Sequence, residues 1–327
     1  MIDPRFYLRH GPVSARALAA DAEIVGDPHA VIETIAPADR AGPGTLCFWE
    51  GGKTAPDARG VVIARAPVDG AAATILSAAP RAAFARLAPR LVTPKSFGPN
   101  APAHDPSARL EEGVRLAPGV VIGPDAQIGA GTTIGPNAVI GPGVVIGRGC
   151  RIGAQIVIGC ALIGDGVDIQ AGAVIGEAGF GVAGDAAGLV AVPHVGRAII
   201  QDRVLIGALT TVDRGAFDDT IVGEEAKIDN HCHVAHNVVV GRRAVMAAYA
   251  GLSGTARVGA GVMMGGRVGL ADHVQVGDGA QLAAGSAVLQ DVPAGETWAG
   301  YPARPIRAWM REIAWLKRAA ARKNEQH

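Results

Sequence analysis

The sequence predicts a mainly β protein in which a parallel β-helix of hexapeptide repeats is joined to a small N-terminal α/β domain and a C-terminal helix. Three observations support this fold class. An aliphatic residue recurs at every sixth position through most of the chain, the two ends lack that period, and glycine is abundant whereas aromatic residues are scarce. Glycine accounts for 46 of 327 residues and aromatic residues for 4%. This composition favours many tight turns over ordinary packed layers.

The aliphatic period runs in two series separated by an interruption. The first series is Leu116, Ile122, Ile128, Ile134, Ile140, Ile146, Ile152 and Ile158, and the second is Val222, Ile228, Val234, Val240, Met246, Leu252, Val258, Met264, Leu270, Val276, Leu282 and Val288. A six-residue period fits neither an α-helix nor a long strand, but it suits a short strand followed by a turn. Three such units form one triangular coil of about 18 residues, so the segment 110–300 is predicted to be a β-helix of roughly nine coils.

The interruption, near residues 177–197, cannot keep the six-residue period and is predicted to be an extruded loop. It contains the runs Gly-Phe-Gly and Gly-Leu-Val-Ala-Val-Pro-His. Loops on a rigid scaffold often carry function.

Residues 1–93 lack the repeat and are predicted to form a small α/β domain. The pattern indicates a short helix over 13–22, a strand over 60–64 and a second helix over 81–91. Residues 94–109 contain four prolines and are predicted to be a stiff linker.

The C-terminal segment 301–327 is predicted to be a basic helix. Its apolar residues at helical spacing are Ile306, Trp309, Met310, Ile313, Leu316 and Ala320. Its basic residues are Arg304, Arg307, Arg311, Lys317, Arg318, Arg322 and Lys323. Taken alone, these charges are most simply a solvated helix face or a capping helix in an oligomer.

Charge and composition argue against several functional classes. Thirty basic residues balance thirty acidic ones, so no overall positive field favours nucleic acid. The four cysteines are far apart without a CxxC pair, which argues against a disulfide framework or a thiolate zinc site. The N-terminus has no apolar signal region and no run approaches the length of a membrane span, so a cytoplasmic location is expected.

The histidine-rich stretch 228–238 is the candidate for chemistry. If coils stack at 18 residues, Gly254 lies one coil after His236, and Asp218, with the adjacent Asp219, lies one coil before it. Such a cluster would combine a base, a backbone donor for an oxyanion and a carboxylate that orients the base, which acyl transfer requires. His273, two coils further on with an offset of one residue, would complete the cleft.

A zinc site is the alternative interpretation of the same histidines. His231 and His236 have His-x4-His spacing, and with His194 they resemble the ligands of the hexapeptide carbonic anhydrases. The position of His194 in the predicted loop and the additional N-terminal domain argue against this interpretation. No metal site is therefore predicted.

Two motifs are far more specific than the repeat. The run Asp-Arg-Gly-Ala-x-Asp-Asp-Thr at residues 213–220, followed by Ala-His-Asn-Val at residues 235–238, resembles the signature of the UDP-3-O-(3-hydroxyacyl)glucosamine N-acyltransferases of lipid A biosynthesis. The similarity extends over almost the whole chain. A left-handed β-helix is expected from this resemblance, because the six-residue period alone does not specify the hand.

The resemblance implies a homotrimer with active sites between neighbouring β-helices. In such an enzyme the N-terminal domain binds the uridine of a UDP-sugar, and the C-terminal helices help to bind acyl carrier protein. The phosphopantetheine thioester of the carrier donates a 3-hydroxyacyl group to the 2-amine of UDP-3-O-acylglucosamine, and no cofactor is permanently bound.

The resemblance also implies roles for individual residues. His236 matches the catalytic base, Gly254 the oxyanion donor and His273 a second active-site histidine. In the uracil pocket, Phe48 and Lys53 match the family. At two further positions of that pocket, Gly51 and Thr54 replace the usual Asn and Tyr, so weaker nucleotide affinity is expected.

Three other functions fit parts of the sequence. The related O-acyltransferases acting on UDP-N-acetylglucosamine share the β-helix, the acyl donor and a histidine base, but lack this N-terminal domain. A sugar N-acetyltransferase would use acetyl-CoA and would be distinguished by its donor. A non-enzymatic trimeric scaffold would need the β-helix only to assemble its partners.

Overall fold

The computed structural model describes residues 2–19, 21–52 and 59–324, which form two compact units. The first unit comprises Met1–Pro99, Ala178–Gly196 and Gly215–Asp218. The second unit comprises Asn100–Glu177, Arg197–Arg214 and Asp219–His327. The predicted loop near 177–197 therefore groups almost entirely with the N-terminal residues.

The second unit is a parallel β-helix with three faces, as the six-residue period predicts. In the described residues the first face has nine strands, Arg109–Leu110, Gln127–Ile128, Val145–Ile146, Ala161–Ile163, Ala198–Ile200, Thr220–Val222, Val239–Val240, Arg257–Val258 and Gln275–Val276. The second face has eleven, Arg115–Leu116, Thr133–Ile134, Arg151–Ile152, Asp168–Ile169, Leu205–Ile206, Lys227–Ile228, Val245–Met246, Met263–Met264, Gln281–Leu282, Thr297–Ala299 and Arg304–Pro305. The third face has nine, Val121–Ile122, Val139–Ile140, Val157–Ile158, Val174–Ala178, Thr211–Arg214, His233–Val234, Gly251–Leu252, Gly269–Leu270 and Ala287–Val288.

The aliphatic residue of each hexapeptide points into the narrow core. Ile122 pairs with Ile140, and Ile140 with Ile158, in adjacent strands of the third face. All three are fully buried. Burying each of these side chains contributes about 1.5–3 kcal/mol relative to its exposure, so the column of aliphatic residues accounts for much of the stability of the β-helix.

The spacing between stacked residues is 18 in most coils, but it is 17 and then 37 around the interruption and 22 beside the histidine-rich stretch. On the third face Thr211 pairs with His233 and Val212 with Val234, a separation of 22. On the first face Ile221 pairs with Val239, a separation of 18. The four additional residues are Gly215–Asp218, which group with the first unit.

The first unit contains a five-stranded sheet. In spatial order its strands are Ile24–Gly26, Ala73–Leu76, Val61–Ala64, Thr45–Phe48 and Thr34–Ile35. Three antiparallel pairs accompany it, Tyr7–Arg9 with Val92–Pro94, Val13–Ser14 with Val31–Ile32, and Val182–Asp185 with Gly188–Ala191. The predicted strand over 60–64 is Val61–Ala64.

The helices of the first unit are shorter than predicted. The predicted helix 13–22 is reduced to Ala15–Leu18, because Val13–Ser14 pairs as a strand with Val31–Ile32. Ser14 then caps the helix N-terminus by accepting a hydrogen bond from the Ala17 N–H. The predicted helix 81–91 spans Pro80–Leu87 and continues as the 3₁₀ turn Ala88–Arg90. Pro89 explains this ending because it has no N–H with which to continue the helical hydrogen bonds beyond Ala88. A second 3₁₀ turn spans Ala38–Arg40.

The predicted C-terminal helix spans Ile306–Asn324. Its exposed apolar residues are Met310, Trp315 and Leu316, and its exposed cations include Arg307, Arg311, Lys317 and Arg318. Among the described residues, no helix combines the length and apolar character needed to span a membrane.

Candidate active site

Three predicted site residues lie at one corner of the β-helix, at the end of the third face. Successive coils contribute His236–Asn237, Gly254–Thr255 and His273 to this corner. Asn237, Thr255 and His273 all have positive φ, between 61° and 64°. The Thr255 N–H donates to the His236 carbonyl at 2.9 Å, and the His273 N–H donates to the Gly254 carbonyl at 3.1 Å. The repeat therefore stacks His236, Gly254 and His273 in consecutive coils.

The imidazole of His236 lies directly over the α-carbon of Gly254. A β-carbon added to Gly254 would be 2.7 Å from His236 Cε1 and 2.8 Å from Nε2. These distances are shorter than any real side-chain contact, so a side chain at position 254 would displace the ring. Gly254 is buried and His236 is half-buried, which leaves the ring in a sheltered position at the surface of the corner.

The ring of His236 is oriented by its neighbour in the chain. His236 Nδ1 lies 3.1 Å from the Asn237 amide oxygen. The Asn237 N–H in turn donates to the Thr220 hydroxyl at 2.8 Å, and Thr220 is fully buried. With the amide oxygen as acceptor, the proton of the neutral imidazole lies on Nδ1, and Nε2 is the basic nitrogen. Asn237 and Thr220 are site residues that the repeat pattern did not indicate.

The two carboxylates expected to orient His236 both have arginine partners. Asp218 pairs with Arg40 at 2.6 Å within the first unit. Asp219 accepts two hydrogen bonds from Arg197, at 2.9 and 2.7 Å. The expectation rested on an 18-residue stack, whereas the separation at this coil is 22. Counting back 22 residues from His236 reaches Arg214, which is adjacent to Asp213.

Asp213 is a further carboxylate near the site, and the 18-residue period did not indicate it. Its Oδ2 lies 3.6 Å from His233 Nε2. On the other side of the same ring, His233 Nδ1 lies 2.7 Å from the Thr211 hydroxyl. Burial raises the pKa of Asp213, while the positive charges available at His233, His236 and Arg214 act to lower it. This carboxylate therefore lies beside His233, a histidine of the next coil on the third face.

The predicted uracil-stacking residue belongs to an aromatic cluster in the first unit. The rings of Phe48 and Phe84 have centroids 5.1 Å apart, and Phe84 lies 6.1 Å from Phe217. Phe48 is only half-buried, so part of its ring is exposed. Lys53, like Thr54, lies outside the described residues. Uracil binding by Phe48 and Lys53 stays a prediction.

The histidines of the zinc alternative have other neighbours. The ring of His231 stacks on Tyr249, with centroids 4.9 Å apart and planes 3° from parallel. In the first unit, His194 is buried and its Nδ1 lies 3.0 Å from the Val192 carbonyl. Within the described ranges, no group of three or more His, Cys, Asp or Glu side chains has a geometry suited to a metal ion.

Cys232 is the thiol nearest in sequence to His236, and it is buried. Burial raises its pKa, so little of the nucleophilic thiolate is present near neutral pH. The other three cysteines are buried as well. The four cysteines are therefore small apolar core residues.

Family profiles match the β-helix in three segments. Residues 116–183 match the GMPPB C-terminal domain, residues 219–254 the bacterial transferase hexapeptide of six repeats, and residues 255–290 the hexapeptide repeat of succinyl-transferase. Among solved structures, LpxA from Acinetobacter baumannii matches with a TM-score of 0.50 and 23% identity, over 64% of this chain and 78% of that chain. This likeness shows the hexapeptide β-helix fold.

Curated relatives match over essentially the whole chain. The UDP-3-O-acylglucosamine N-acyltransferase of Caulobacter sp. (strain K31) is 49% identical over 98% of this chain and 97% of its own length. Its counterpart in Caulobacter vibrioides (strain NA1000 / CB15N) is 52% identical over 98% of both. The protein of the same name in Maricaulis maris (strain MCS10) is 49% identical over 99% of this chain and 98% of its own length. On this evidence the chain belongs to the UDP-3-O-acylglucosamine N-acyltransferase family, a family of acyltransferases.

Proposed function

We propose that this protein transfers a 3-hydroxyacyl group from acyl carrier protein to the 2-amine of UDP-3-O-(3-hydroxyacyl)glucosamine in lipid A biosynthesis. The observation that carries the proposal is the contact of the His236 imidazole with the backbone of Gly254. This contact brings a basic nitrogen and a backbone N–H to one corner of a chain that belongs to the family. Acyl transfer to an amine requires both groups.

His236 acts as the general base of this reaction. Its Nε2 accepts a proton from the amine as the amine nitrogen attacks the thioester carbonyl. The hydrogen bond between Nδ1 and Asn237 supports this role, because it fixes the tautomer whose basic nitrogen is Nε2. The proton then passes to the departing thiolate of phosphopantetheine, and the amide product forms without a covalent enzyme intermediate.

The Gly254 N–H stabilises the oxyanion that develops on the thioester oxygen. A single backbone donor of this kind contributes about 3–4 kcal/mol to the stability of the transition state. His273, one coil beyond Gly254, binds substrate in the same cleft. Uracil stacks on Phe48 and contacts Lys53, and a homotrimer completes each active site between neighbouring β-helices.

The experiment that tests this function is mass spectrometry of the products formed from UDP-3-O-acylglucosamine and 3-hydroxyacyl carrier protein. A diacylated sugar nucleotide is expected. Two parallel reactions replace the donor with acetyl-CoA or the acceptor with UDP-N-acetylglucosamine, and a preference for either would favour one of the rival transferases. Sedimentation of the same sample is expected to give a trimer, and a monomer at the assay concentration would contradict an active site shared between subunits.

The apparent KM for acyl carrier protein is expected to rise with salt. The C-terminal helix presents exposed cations, and acyl carrier proteins are acidic, so electrostatic attraction would accelerate their docking. Between low and physiological ionic strength we expect a rise of roughly threefold to tenfold. Steady-state kinetics over a salt series measures it.

A small donor is the control for this salt effect. A 3-hydroxyacyl-pantetheine thioester has the same reactive group but no acidic protein surface, so its KM should change little with salt. If the KM values of both donors changed equally with salt, the C-terminal helix would not be the docking surface for acyl carrier protein.

A further inference from the structure

The corner of the β-helix that carries His236 also carries an arginine one coil earlier. The strand that ends at Arg214 pairs with the next strand of the third face at a separation of 22 residues, so Arg214 lies one coil before His236. The following pair of strands has a separation of 18, which puts Gly254 one coil after His236. Along this corner the order is therefore a cation, the proposed base and the proposed oxyanion donor.

The side chain of Arg214 is half-buried and extends along this corner. Its Nη1 donates to the Gly176 carbonyl at 3.1 Å, and Gly176 belongs to the preceding strand of the third face. The carboxylate of the neighbouring Asp213 lies beside His233, with 3.6 Å between Oδ2 and Nε2. The contact with Gly176 fixes the direction of the guanidinium. Its planar fork has five N–H donors and suits a phosphate group as a further partner.

The proposed acceptor carries its anionic group next to its reacting group. In UDP-3-O-acylglucosamine the 2-amine and the diphosphate are attached to adjacent carbons of the sugar ring. Neighbouring coils of a parallel β-helix are about 4.8 Å apart, so an amine at His236 Nε2 brings the diphosphate to the height of an adjacent coil. The coil of Gly254 is taken by the thioester, which leaves the coil of Arg214 for the diphosphate.

The acyl donor also contains a phosphate, but at the far end of its pantetheine arm. With the thioester carbonyl at the Gly254 N–H, the length of that arm separates the donor phosphate from the reacting centre. The basic helix Ile306–Asn324, the proposed docking surface for the carrier, follows the last coil of the β-helix. The arm therefore approaches from the side of the corner opposite to Arg214.

We propose that Arg214 binds the diphosphate of the sugar nucleotide through charge-assisted hydrogen bonds and thereby places the 2-amine at His236. This inference rests on the proposed function, because it takes the sugar nucleotide as the acceptor. Arg214 is a substrate-binding residue and takes no part in the proton transfer.

The test is Arg214→Gln in the full-length protein, titrated by calorimetry with UDP and with uridine, which lacks the phosphates. We expect the Kd for UDP to rise roughly tenfold to a hundredfold, the usual effect of losing a hydrogen bond to a charged group. The Kd for uridine should stay within about twofold of wild type. In the product assay the KM for the sugar nucleotide should rise by a similar factor, with the KM for the carrier protein unchanged.

Two further variants complete the test. Arg214→Lys keeps the charge but not the planar fork, so UDP should bind roughly threefold to tenfold more weakly than to wild type. Wild-type affinity for UDP in this variant would overturn the proposal, even if Arg214→Gln failed to fold. Arg203→Gln is the matched control, because Arg203 is a corner arginine that pairs with Glu225, and this variant should bind both ligands as wild type does.

Other results would assign Arg214 a different role. If Arg214→Gln weakened UDP and uridine binding equally and lowered the thermal unfolding midpoint, Arg214 would be structural. If it raised the KM for the carrier protein alone, Arg214 would bind the phosphate of the donor. Either result rejects the proposed diphosphate site.

The same measurements keep this inference separate from the proposed function. An active wild type, with Arg214→Gln unchanged in UDP affinity and in the KM for the sugar nucleotide, would reject the role of Arg214 alone. A wild type that forms no N-acyl product would reject the proposed function itself.

Discussion

Replacing His236 with alanine is expected to lower kcat for N-acyl transfer by roughly 10²- to 10⁴-fold, the usual contribution of a general base. The substitution removes the nitrogen that accepts the amine proton. The fold should survive the substitution, because His236 is at a half-buried corner position and Val234, two residues earlier, is the residue that points inward. The product assay and a thermal unfolding curve, measured on the same preparation, check both expectations.

His231→Ala is the matched control for this substitution. It removes another imidazole from the same coil, one that stacks on Tyr249 at the preceding corner. This variant should keep kcat close to the wild-type value. If His236→Ala retained activity within about threefold of wild type, the assignment of the base would be wrong.

Replacing Gly254 with alanine is expected to reduce kcat roughly a hundredfold, because a displacement of about 1 Å in a catalytic group can have that effect. The added methyl group would occupy the place now taken by His236 Cε1 and Nε2, at 2.7 and 2.8 Å from the new β-carbon. The imidazole must therefore turn away from both the amine and the Gly254 N–H. Steady-state kinetics should show the loss mainly in kcat.

Gly251→Ala provides the control for the glycine substitution. Gly251 lies on the same strand as Leu252, and a β-carbon there would meet open space. The same change of Gly to Ala, three residues away, should leave kcat within about twofold of wild type. A Gly254→Ala enzyme with normal kcat and normal stability would show that the observed position of the His236 ring is not the catalytic one.

Much of the fold follows from short-range patterns that the sequence displays directly. The six-residue period predicted the β-helix and its column of inward-facing aliphatic residues. Each hexapeptide buries one aliphatic side chain and then turns, so the pattern is visible within a few residues. The amphipathic spacing of Ile306, Trp309 and Ile313 likewise predicted the terminal helix. In the first unit the predictions were less exact. The first helix is shortened because Val13–Ser14 pairs with Val31–Ile32, a strand that the local pattern does not indicate. The second helix is shortened by the turn at Pro89.

The candidate site shows the same contrast between local sequence pattern and long-range folding. A separation of 18 residues between stacked positions correctly predicted that Gly254 lies beside His236, because no insertion lies between them. The 18-residue separation does not hold one coil earlier, because the four residues Gly215–Asp218 leave the β-helix and increase the separation to 22. The period alone therefore pointed to Asp218 and Asp219, whereas folding pairs those carboxylates with arginines and brings Asp213 to His233. The physical reason is that a repeat specifies which residue faces inward within a coil, but backbone hydrogen bonding between coils decides which residues are neighbours across an insertion.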